Sequence, residues 1–398
     1  MRMLPEFARS FWHVARLIFA KGKRQNNREI GGINMLTELF KNANSGLEDI
    51  LKRAEAGEGT IRENMDDLCD ILEDEILNRK SSEEEKKALL KRLRAFCNTE
   101  TNIMLVGATG CGKSSTINAL FAVGEPGKEG HVEVAKVGSK VNPETKDIEK
   151  YRIGNLVLWD TPGLGDGTEI DRHHKDVITE LLREEDEAGN ALIDLVLVIL
   201  DGSTKDLGTS YKILNEVIIP ELKKDTDRIL IALNQADIAM KTGRHWDYEK
   251  NEPDETLVSF LNEKVESIKT RIREDSHLEV EPVYYCAGYE EESGDVVRPY
   301  NLSKLLYYIM QSLPSQKRVA VMEGINTDSD NYECHDGEKD YNEKIKDSFY
   351  DSFDYIADGV DTGVEIGGTI LGIPGAIVGA VLGGVVGCVR SILDDIFD

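Results

Sequence analysis

Between residues 99 and 314, short apolar runs alternate with stretches in which apolar side chains recur every three or four residues. The apolar runs have the length of strands buried on both faces, and the stretches between them have the period of amphipathic helices. The expected core strands are Ile103–Val106, Leu156–Trp159, Leu192–Leu200, Ile229–Leu233 and Pro282–Cys286. Repeated strand–helix units of this kind predict an α/β domain with a mostly parallel sheet and helices on both faces.

The regions on either side of this domain have different patterns. Residues 33–97 have a helical period throughout, and residues 82–85 form a capping box that opens a second helix. Residues 325–365 are strongly acidic, and we interpret them as a solvated amphipathic helix after a loose linker. The chain then divides into an N-terminal helical region (1–98), the sheet domain (99–314), an acidic linker and helix (315–365) and a hydrophobic helical tail rich in glycine (366–398).

Two terminal segments indicate contact with a membrane. Residues 1–24 mix aromatic and basic side chains, as amphipathic helices on anionic membranes do, although such a helix can equally pack on the protein itself. Residues 366–389 carry no charge and are long enough to cross a bilayer, and glycines recur every four residues between 375 and 387. This stripe favours membrane insertion or close helix–helix association in a dimer or oligomer. The alternative is a glycine-rich hairpin inside the protein's own core.

Composition narrows the classes of partner. The formal net charge of −26 argues against nucleic-acid binding through a general basic surface, so no nucleic-acid partner is expected. The six cysteines are scattered without metal-ligand spacing, which is typical of a reducing cytoplasm and not of a disulfide framework or zinc site. No secretory signal is expected, because Lys21 follows the short apolar stretch near the start. These features predict a cytoplasmic protein attached, peripherally or integrally, to the inner face of a membrane.

The strongest chemical signal is the loop between the first strand and the next helix. Residues 107–114 match the pattern G-x-x-x-x-G-K-S/T, in which backbone N–H groups and a helix N-terminus surround a phosphate. Lys113 is expected to reach the β- and γ-phosphates, and Ser114 to hold Mg²⁺. The loop residues expected to contact the nucleotide are Gly107, Thr109, Gly110, Cys111, Gly112, Lys113, Ser114 and Ser115.

A second phosphate-facing element, D-x-x-G, follows the strand Leu156–Trp159. Asp160 can hold the metal ion through a water molecule, and the Gly163 N–H can meet the γ-phosphate. The alternative is an ordinary aspartate at a strand end, followed by a Pro-Gly turn.

Two later loops, which follow the fourth and fifth predicted strands, indicate which base the nucleotide carries. A carboxylate at Asp237 can accept hydrogen bonds from guanine N1–H and the 2-amino group, two donors that adenine does not offer to it. Asn234 is expected to tie this loop to the phosphate loop, and Gln235 stands beside it. Cys286 and Ala287, at the end of the last strand, resemble the S-A-K loop of GTPases, and this resemblance implies a backbone N–H that meets guanine O6.

In this order, the motifs resemble those of translation-factor-class (TRAFAC) GTPases of the Era-like branch. The finer resemblance is to prophage-type ribosome-binding GTPases, and the phosphate loop is similar to that of immunity-related and septin-like GTPases, which work as membrane-associated dimers or polymers. The resemblance implies a P-loop GTPase domain that binds GTP or GDP with Mg²⁺. It also implies a switch threonine that senses Mg²⁺ and the γ-phosphate, for which Thr145 is the best match. Lys113, Thr145 and Gly163 would act on the γ-phosphate, and Ser114, Thr145 and Asp160 on the metal.

Two familiar routes to rapid hydrolysis are missing. Leu164 stands where many GTPases have a water-orienting glutamine, and Gly110 stands where some relatives bind potassium through an asparagine. His173 or His174 could orient water, although both could simply be solvated. We therefore expect a slow GTPase switch coupled to its tail. The alternatives are a ribosome or RNA assembly factor and a GTP-gated, membrane-active effector.

Overall fold

The computed structural model describes most of the central part of the chain. The described residues are 61–78, 82–121, 148–163, 168–186, 188–204, 207–222, 226–240, 245–290, 296–326, 328–345, 347–348 and 352. Residues 1–24, Thr145, Leu164 and the tail at 366–389 lie outside them, so those predictions stay untested.

A six-stranded sheet forms the centre, in the order β2-β3-β1-β4-β5-β8. The strands of the domain are β1 (Thr101–Gly107), β2 (Glu149–Ile153), β3 (Leu156–Asp160), β4 (Leu195–Asp201), β5 (Ile229–Asn234), β6 (Trp246–Asp247), β7 (Glu252–Pro253), β8 (Val283–Tyr284), β9 (Tyr289–Glu290) and β10 (Val296–Val297). β6–β7 and β9–β10 are separate two-stranded hairpins. The parallel pairs β1–β3, β1–β4, β4–β5 and β5–β8 confirm the α/β interpretation.

Two strand predictions are corrected. β2 was not expected, and it pairs antiparallel with β3 at the edge of the sheet. Only Tyr151 of its five residues is buried, so its sequence lacks the continuous apolar run that marks the inner strands. β4 starts at Leu195 instead of Leu192, because the backbone before it turns at Asp194, whose carboxylate accepts a hydrogen bond from Asn102 N.

Helices cover this sheet and precede it. They are α1 (Ile61–Asn78), α2 (Glu83–Asn98), α3 (Lys113–Leu120), α4 (Thr168–Arg183), α5 (Gly208–Ile213), α6 (Ile219–Leu222), α7 (Glu255–Ser276), α8 (Leu302–Gln311) and α9 (Arg318–Glu323). As predicted, a helix begins directly after Ser82: this is α2, which buries Leu89, Leu93 and Phe96. No helix within the described ranges is both long and apolar enough to cross a membrane.

The cysteine prediction was wrong for one pair. Cys69 on α1 and Cys97 on α2 form a disulfide bond. The two helices lie side by side as a hairpin, which brings together cysteines 28 positions apart. Arg94 on α2 and Glu73 on α1 form an ion pair between the same helices. The spacing of the cysteines in the sequence did not indicate this disulfide bond.

The acidic segment is also different from expectation. Its described part is packed against the sheet domain and is not a loose linker: Tyr332 and Tyr341 are buried, and Tyr332 Oη donates to the carbonyl of Leu120 at 3.0 Å. Apolar and aromatic residues spaced among its carboxylates make these contacts, which charge alone did not reveal.

Candidate functional site

The phosphate loop joins β1 to α3 at the carboxyl edge of the sheet. Gly110 and Gly112 have positive φ angles of 80° and 89°, which glycine adopts without strain. A Cβ at Gly112 would lie 2.2 Å from Asn234 Nδ2, so close approach also requires glycine there. Lys113 is buried, and its Nζ lies 3.4 Å from the carbonyl oxygens of Gly107 and Ala108. These long hydrogen bonds keep the ammonium at the loop, where phosphate oxygens could replace the carbonyls.

Asp160 lies at the end of β3 and meets the start of α3. Ser114 Oγ donates to Asp160 Oδ2 at 2.7 Å, while Asp160 Oδ1 is buried and has no hydrogen-bond partner in the part of the chain that the structure describes. Burial raises the pKa of Asp160, against the opposing effects of Ser114 and Lys113. A hydroxyl beside a carboxylate with an unused oxygen is a hard-oxygen pair that fits a hydrated Mg²⁺ ion.

Gly163 packs directly on the phosphate loop. A Cβ there would lie 2.4 Å from Thr109 Oγ1 and 2.6 Å from Thr109 Cα. His174 Nδ1, on α4, lies 2.9 Å from the Gly163 carbonyl oxygen, and the imidazole is buried. His174 therefore holds the backbone of this loop; the sequence suggested water orientation or solvation instead. His173 is exposed on the same helix.

Asn234 connects three loops. Its Nδ2 donates to the Cys111 carbonyl at 3.0 Å, and its Oδ1 accepts from Ala287 N at 3.0 Å. Gln235, in the left-handed region at φ 61°, donates from Nε2 to the Gly110 carbonyl at 3.0 Å. The predicted tie between the base loop and the phosphate loop is thus present in the geometry, and Gln235 adds a second one. The backbone N–H groups of Cys286 and Ala287, which were expected to meet guanine O6, instead donate to the Tyr300 carbonyl and to Asn234 Oδ1.

Asp237 lies beside Cys286 at the far end of the site. The carboxylate is 1 % exposed, and its Oδ2 has no hydrogen-bond partner among the described residues. Burial raises the pKa of Asp237, and a hydrogen bond from the Cys286 thiol opposes this shift. Burial also raises the pKa of the Cys286 thiol well above its ordinary value and that of Cys111 to about 11, so both thiols stay protonated at neutral pH.

Tyr285 makes structural contacts at the site that sequence reasoning missed. It is fully buried, its hydroxyl lies 2.6 Å from Thr116 Oγ1 on α3, and its carbonyl accepts from Ala236 N at 3.1 Å. The hydroxyl and the main-chain carbonyl of this one residue thereby join the phosphate-loop helix to the base loop. The only sequence signal is its position, one residue before Cys286.

The other expected residues fall into two groups. Thr109 and Ser115 are exposed, and Ser115 lies on the first turn of α3, one residue beyond Ser114. Thr145 lies outside the described residues, and among those described no group of three or more His, Cys, Asp or Glu could hold a metal ion.

Comparison with known proteins adds a family match. Residues 102–235 match the family model described as 50S ribosome-binding GTPase. The match runs from β1 to Gln235 and so includes the phosphate loop and D-x-x-G. Together with the site geometry, it identifies an α/β P-loop domain of the GTP-binding GTPase type in this chain.

The similarity to curated proteins is short. Interferon-gamma-inducible GTPase 10 of Mus musculus is 40% identical over 67 residues, which are 16% of this chain and 15% of that protein. Interferon-inducible GTPase 1 of Mus musculus is 35% identical over 78 residues, or 20% and 18% of the two chains. This chain therefore spans less than a fifth of the length of either relative.

Solved structures that match this chain include LeoA, a bacterial dynamin GTPase from ETEC (14% identity, 80% of this chain and 48% of that chain, TM-score 0.33). A GTP-binding protein from Sulfolobus solfataricus in complex with GDP also matches (17% identity, 64% and 67%, TM-score 0.31).

Proposed function

We propose that this chain is a slow guanine-nucleotide switch that binds GTP with Mg²⁺, hydrolyses it to GDP, and couples its nucleotide state to its C-terminal segment. The observation that carries the guanine assignment is the buried oxygen of Asp237, which has no hydrogen-bond partner among the described residues. Guanine supplies two donors to such a carboxylate, whereas adenine would leave it unpaired. Asn234 and Gln235 support the proposal, because they hold this carboxylate in one body with the phosphate loop.

Each residue has a distinct task in this scheme. Lys113 binds the β- and γ-phosphates, and the Gly163 N–H contacts the γ-phosphate. Ser114 and Asp160 hold Mg²⁺, with Thr145 proposed as the switch ligand. When bound, Mg²⁺ neutralises charge on the β- and γ-phosphate oxygens.

Hydrolysis is proposed to be slow without help. Leu164 cannot orient an attacking water, because its side chain has no hydrogen-bonding group. Gly110 has no side chain with which to hold a stimulating cation. A partner protein, or a second copy of this chain, would have to supply the missing group.

Substitutions at the two ends of the site test the binding assignment. Lys113→Ala should abolish GTP and GDP binding, because the phosphates lose their buried cation. Asp237→Asn should weaken GTP by about 100-fold or more, since a pair of charged hydrogen bonds is lost. The same variant should improve binding of XTP, whose C2 carbonyl accepts from an amide. Equal affinity of the wild-type protein for GTP and ATP in titration calorimetry would refute the guanine assignment.

The link to a membrane or to self-association rests on the glycine-striped segment at 366–389. Membrane fractionation should find the full-length protein in the pellet and a variant lacking residues 360–398 in the supernatant, with GTP binding intact in both. Full-length protein that stays in the supernatant with GTP and with GDP would refute membrane coupling. Release of dye from liposomes by GTP, absent in Lys113→Ala, would indicate a membrane-active effector instead of an anchored switch.

Ribosome assembly is the second candidate, because the matching family model is described as ribosome-binding. The net charge of −26 counts against it, since ribosomal RNA repels an acidic surface. Salt-sensitive co-sedimentation with ribosomes, lost in Lys113→Ala, would favour it.

A further inference from the structure

We infer that residues 326–341, named here the rear strap, position the nucleotide site from behind. Asn331 and Tyr332 hold the helix that the phosphate loop opens, and Asp336 holds the base loop. The inference rests on the proposed function, because the site being positioned is the proposed guanine-nucleotide site.

The first set of contacts caps α3. The last carbonyls of a helix have no partner within the helix, and here the strap supplies them. Asn326 Nδ2 donates to the Asn118 carbonyl at 3.0 Å, Asn331 Nδ2 to Ala119 at 3.2 Å and Tyr332 Oη to Leu120 at 3.0 Å. Since α3 has eight residues, this cap lies about 12 Å from the phosphate loop along a rigid element.

The second set of contacts fixes Asp336. Its side chain is 8% exposed and forms an ion pair with Lys304 of α8, which is 10% exposed. Tyr341 Oη donates to Asp336 Oδ1 at 3.0 Å. The backbone N–H of Asp336 donates to Asn301 Oδ1 at 2.9 Å. The strap is therefore anchored by charge and by hydrogen bonds at the start of α8.

Asn301 connects Asp336 to the strand that leads into the base-facing loop. Its Nδ2 donates to the Tyr284 carbonyl on β8 at 3.1 Å. The preceding residue, Tyr300, exchanges two 3.0 Å backbone hydrogen bonds with Cys286. Cys286 in turn donates to Asp237. Three hydrogen-bonded steps, Asp336–Asn301, Tyr300–Cys286 and Cys286–Asp237, thus connect the strap to the carboxylate expected to face the base.

One segment consequently supports both ends of the site without belonging to it. If the strap loosens, α3 loses its C-terminal cap and the base loop loses its support. Because coupling between binding and conformation is reciprocal, bound nucleotide must tighten the strap by the same factor by which the strap tightens nucleotide binding.

The two contact sets predict different binding defects. Tyr332→Phe removes one of the cap hydrogen bonds and should weaken GDP and inosine diphosphate, which lacks the 2-amino group, equally and by about 3–10-fold. Asp336→Asn should weaken GDP more than inosine diphosphate, because the contact expected at the 2-amino group is made by Asp237, which the strap supports through Cys286. Asp330→Asn, a matched change at an exposed strap position, should stay within about twofold of wild type for both.

Hydrogen exchange on the wild-type protein tests the same inference even if the strap variants fail to fold. Saturating GDP should slow exchange at the amides of Asn326 and Asp336, and leave the amide of Leu192, which bonds to Glu184 O at 2.8 Å, unchanged. Folded strap variants that bind nucleotide with wild-type affinity, or hydrogen exchange in the strap that GDP does not change, would refute the positioning role of the strap. Neither result would affect the proposed binding of guanine nucleotides. A wild-type chain that binds no guanine nucleotide would overturn the proposed function and this inference together.

Discussion

Replacement of Asn234 by alanine should destabilise the protein even without nucleotide. The side chain is 3% exposed and makes two hydrogen bonds of 3.0 Å, one to the Cys111 carbonyl and one from Ala287 N. Both partners are buried and would be left unpaired. An unsatisfied buried group costs about 1–3 kcal/mol, so the loss of two partners should lower the free energy of unfolding by about 2–6 kcal/mol.

Asn234→Asp separates the two hydrogen bonds. It keeps the acceptor for Ala287 N, but sets a carboxylate oxygen against the Cys111 carbonyl and buries a charge. Burial should raise the pKa of the new aspartate above its unfolded value, so the protonated form, which can donate to Cys111, is favoured as the pH falls. The loss of stability should therefore be larger at pH 7 than at pH 5.

Urea denaturation followed by tryptophan fluorescence measures both effects. Asn262→Ala, at an exposed position on α7, is the matched control and should change the free energy of unfolding by less than about 0.5 kcal/mol. An Asn234→Ala protein as stable as this control would show that the side chain does not hold the loops together.

Three further predictions concern other parts of the molecule. Burial raises the pKa of Asp237 in the folded protein. The stability that the protonated carboxyl contributes is therefore present below the unfolded pKa and is lost as the pH rises through the folded pKa. Asparagine cannot ionise, so nucleotide-free Asp237→Asn should gain in melting temperature over the wild-type protein between pH 5 and 8. Gly163→Ala should lower GTP affinity at least about 10-fold in calorimetry, since its Cβ would overlap the phosphate-loop backbone; unchanged affinity would contradict that packing. Cys69→Ser should lower the free energy of unfolding by about 3 kcal/mol, because it removes the cross-link to Cys97, 28 positions away. The control Cys334→Ser changes a free cysteine and should leave the free energy of unfolding unchanged. Six titratable thiols in the unreduced, denatured protein would refute the disulfide.

The central strands were predictable because a strand buried on both faces requires a local run of apolar residues. β1, β3 and β5 are continuous apolar runs, and each ends at a residue of the site: Gly107, Asp160 and Asn234. Parallel strands bring their carboxyl ends to one edge, so the meeting of these residues followed from the order of the motifs.

The missed features depend on partners far away in the chain. Tyr285 acts through Thr116, 169 positions earlier, and neither residue belongs to a recognisable motif. His174 looked like a residue that could orient water, yet its ring bonds to a backbone carbonyl that only the fold brings near. The rear strap was interpreted as a loose linker because charge masked the few buried side chains that anchor it.

The cap on α3 also has a consequence for biosynthesis. Asn118 and Asn326 lie 208 positions apart, and Leu120 and Tyr332 lie 212 apart. At typical translation rates, roughly 10–40 s pass between synthesis of the helix and synthesis of its cap. During that interval the carbonyls of Asn118, Ala119 and Leu120 lack the hydrogen bonds that the strap later supplies. The phosphate loop is thus among the first parts of the domain to leave the ribosome, and its supporting helix is among the last to be completed.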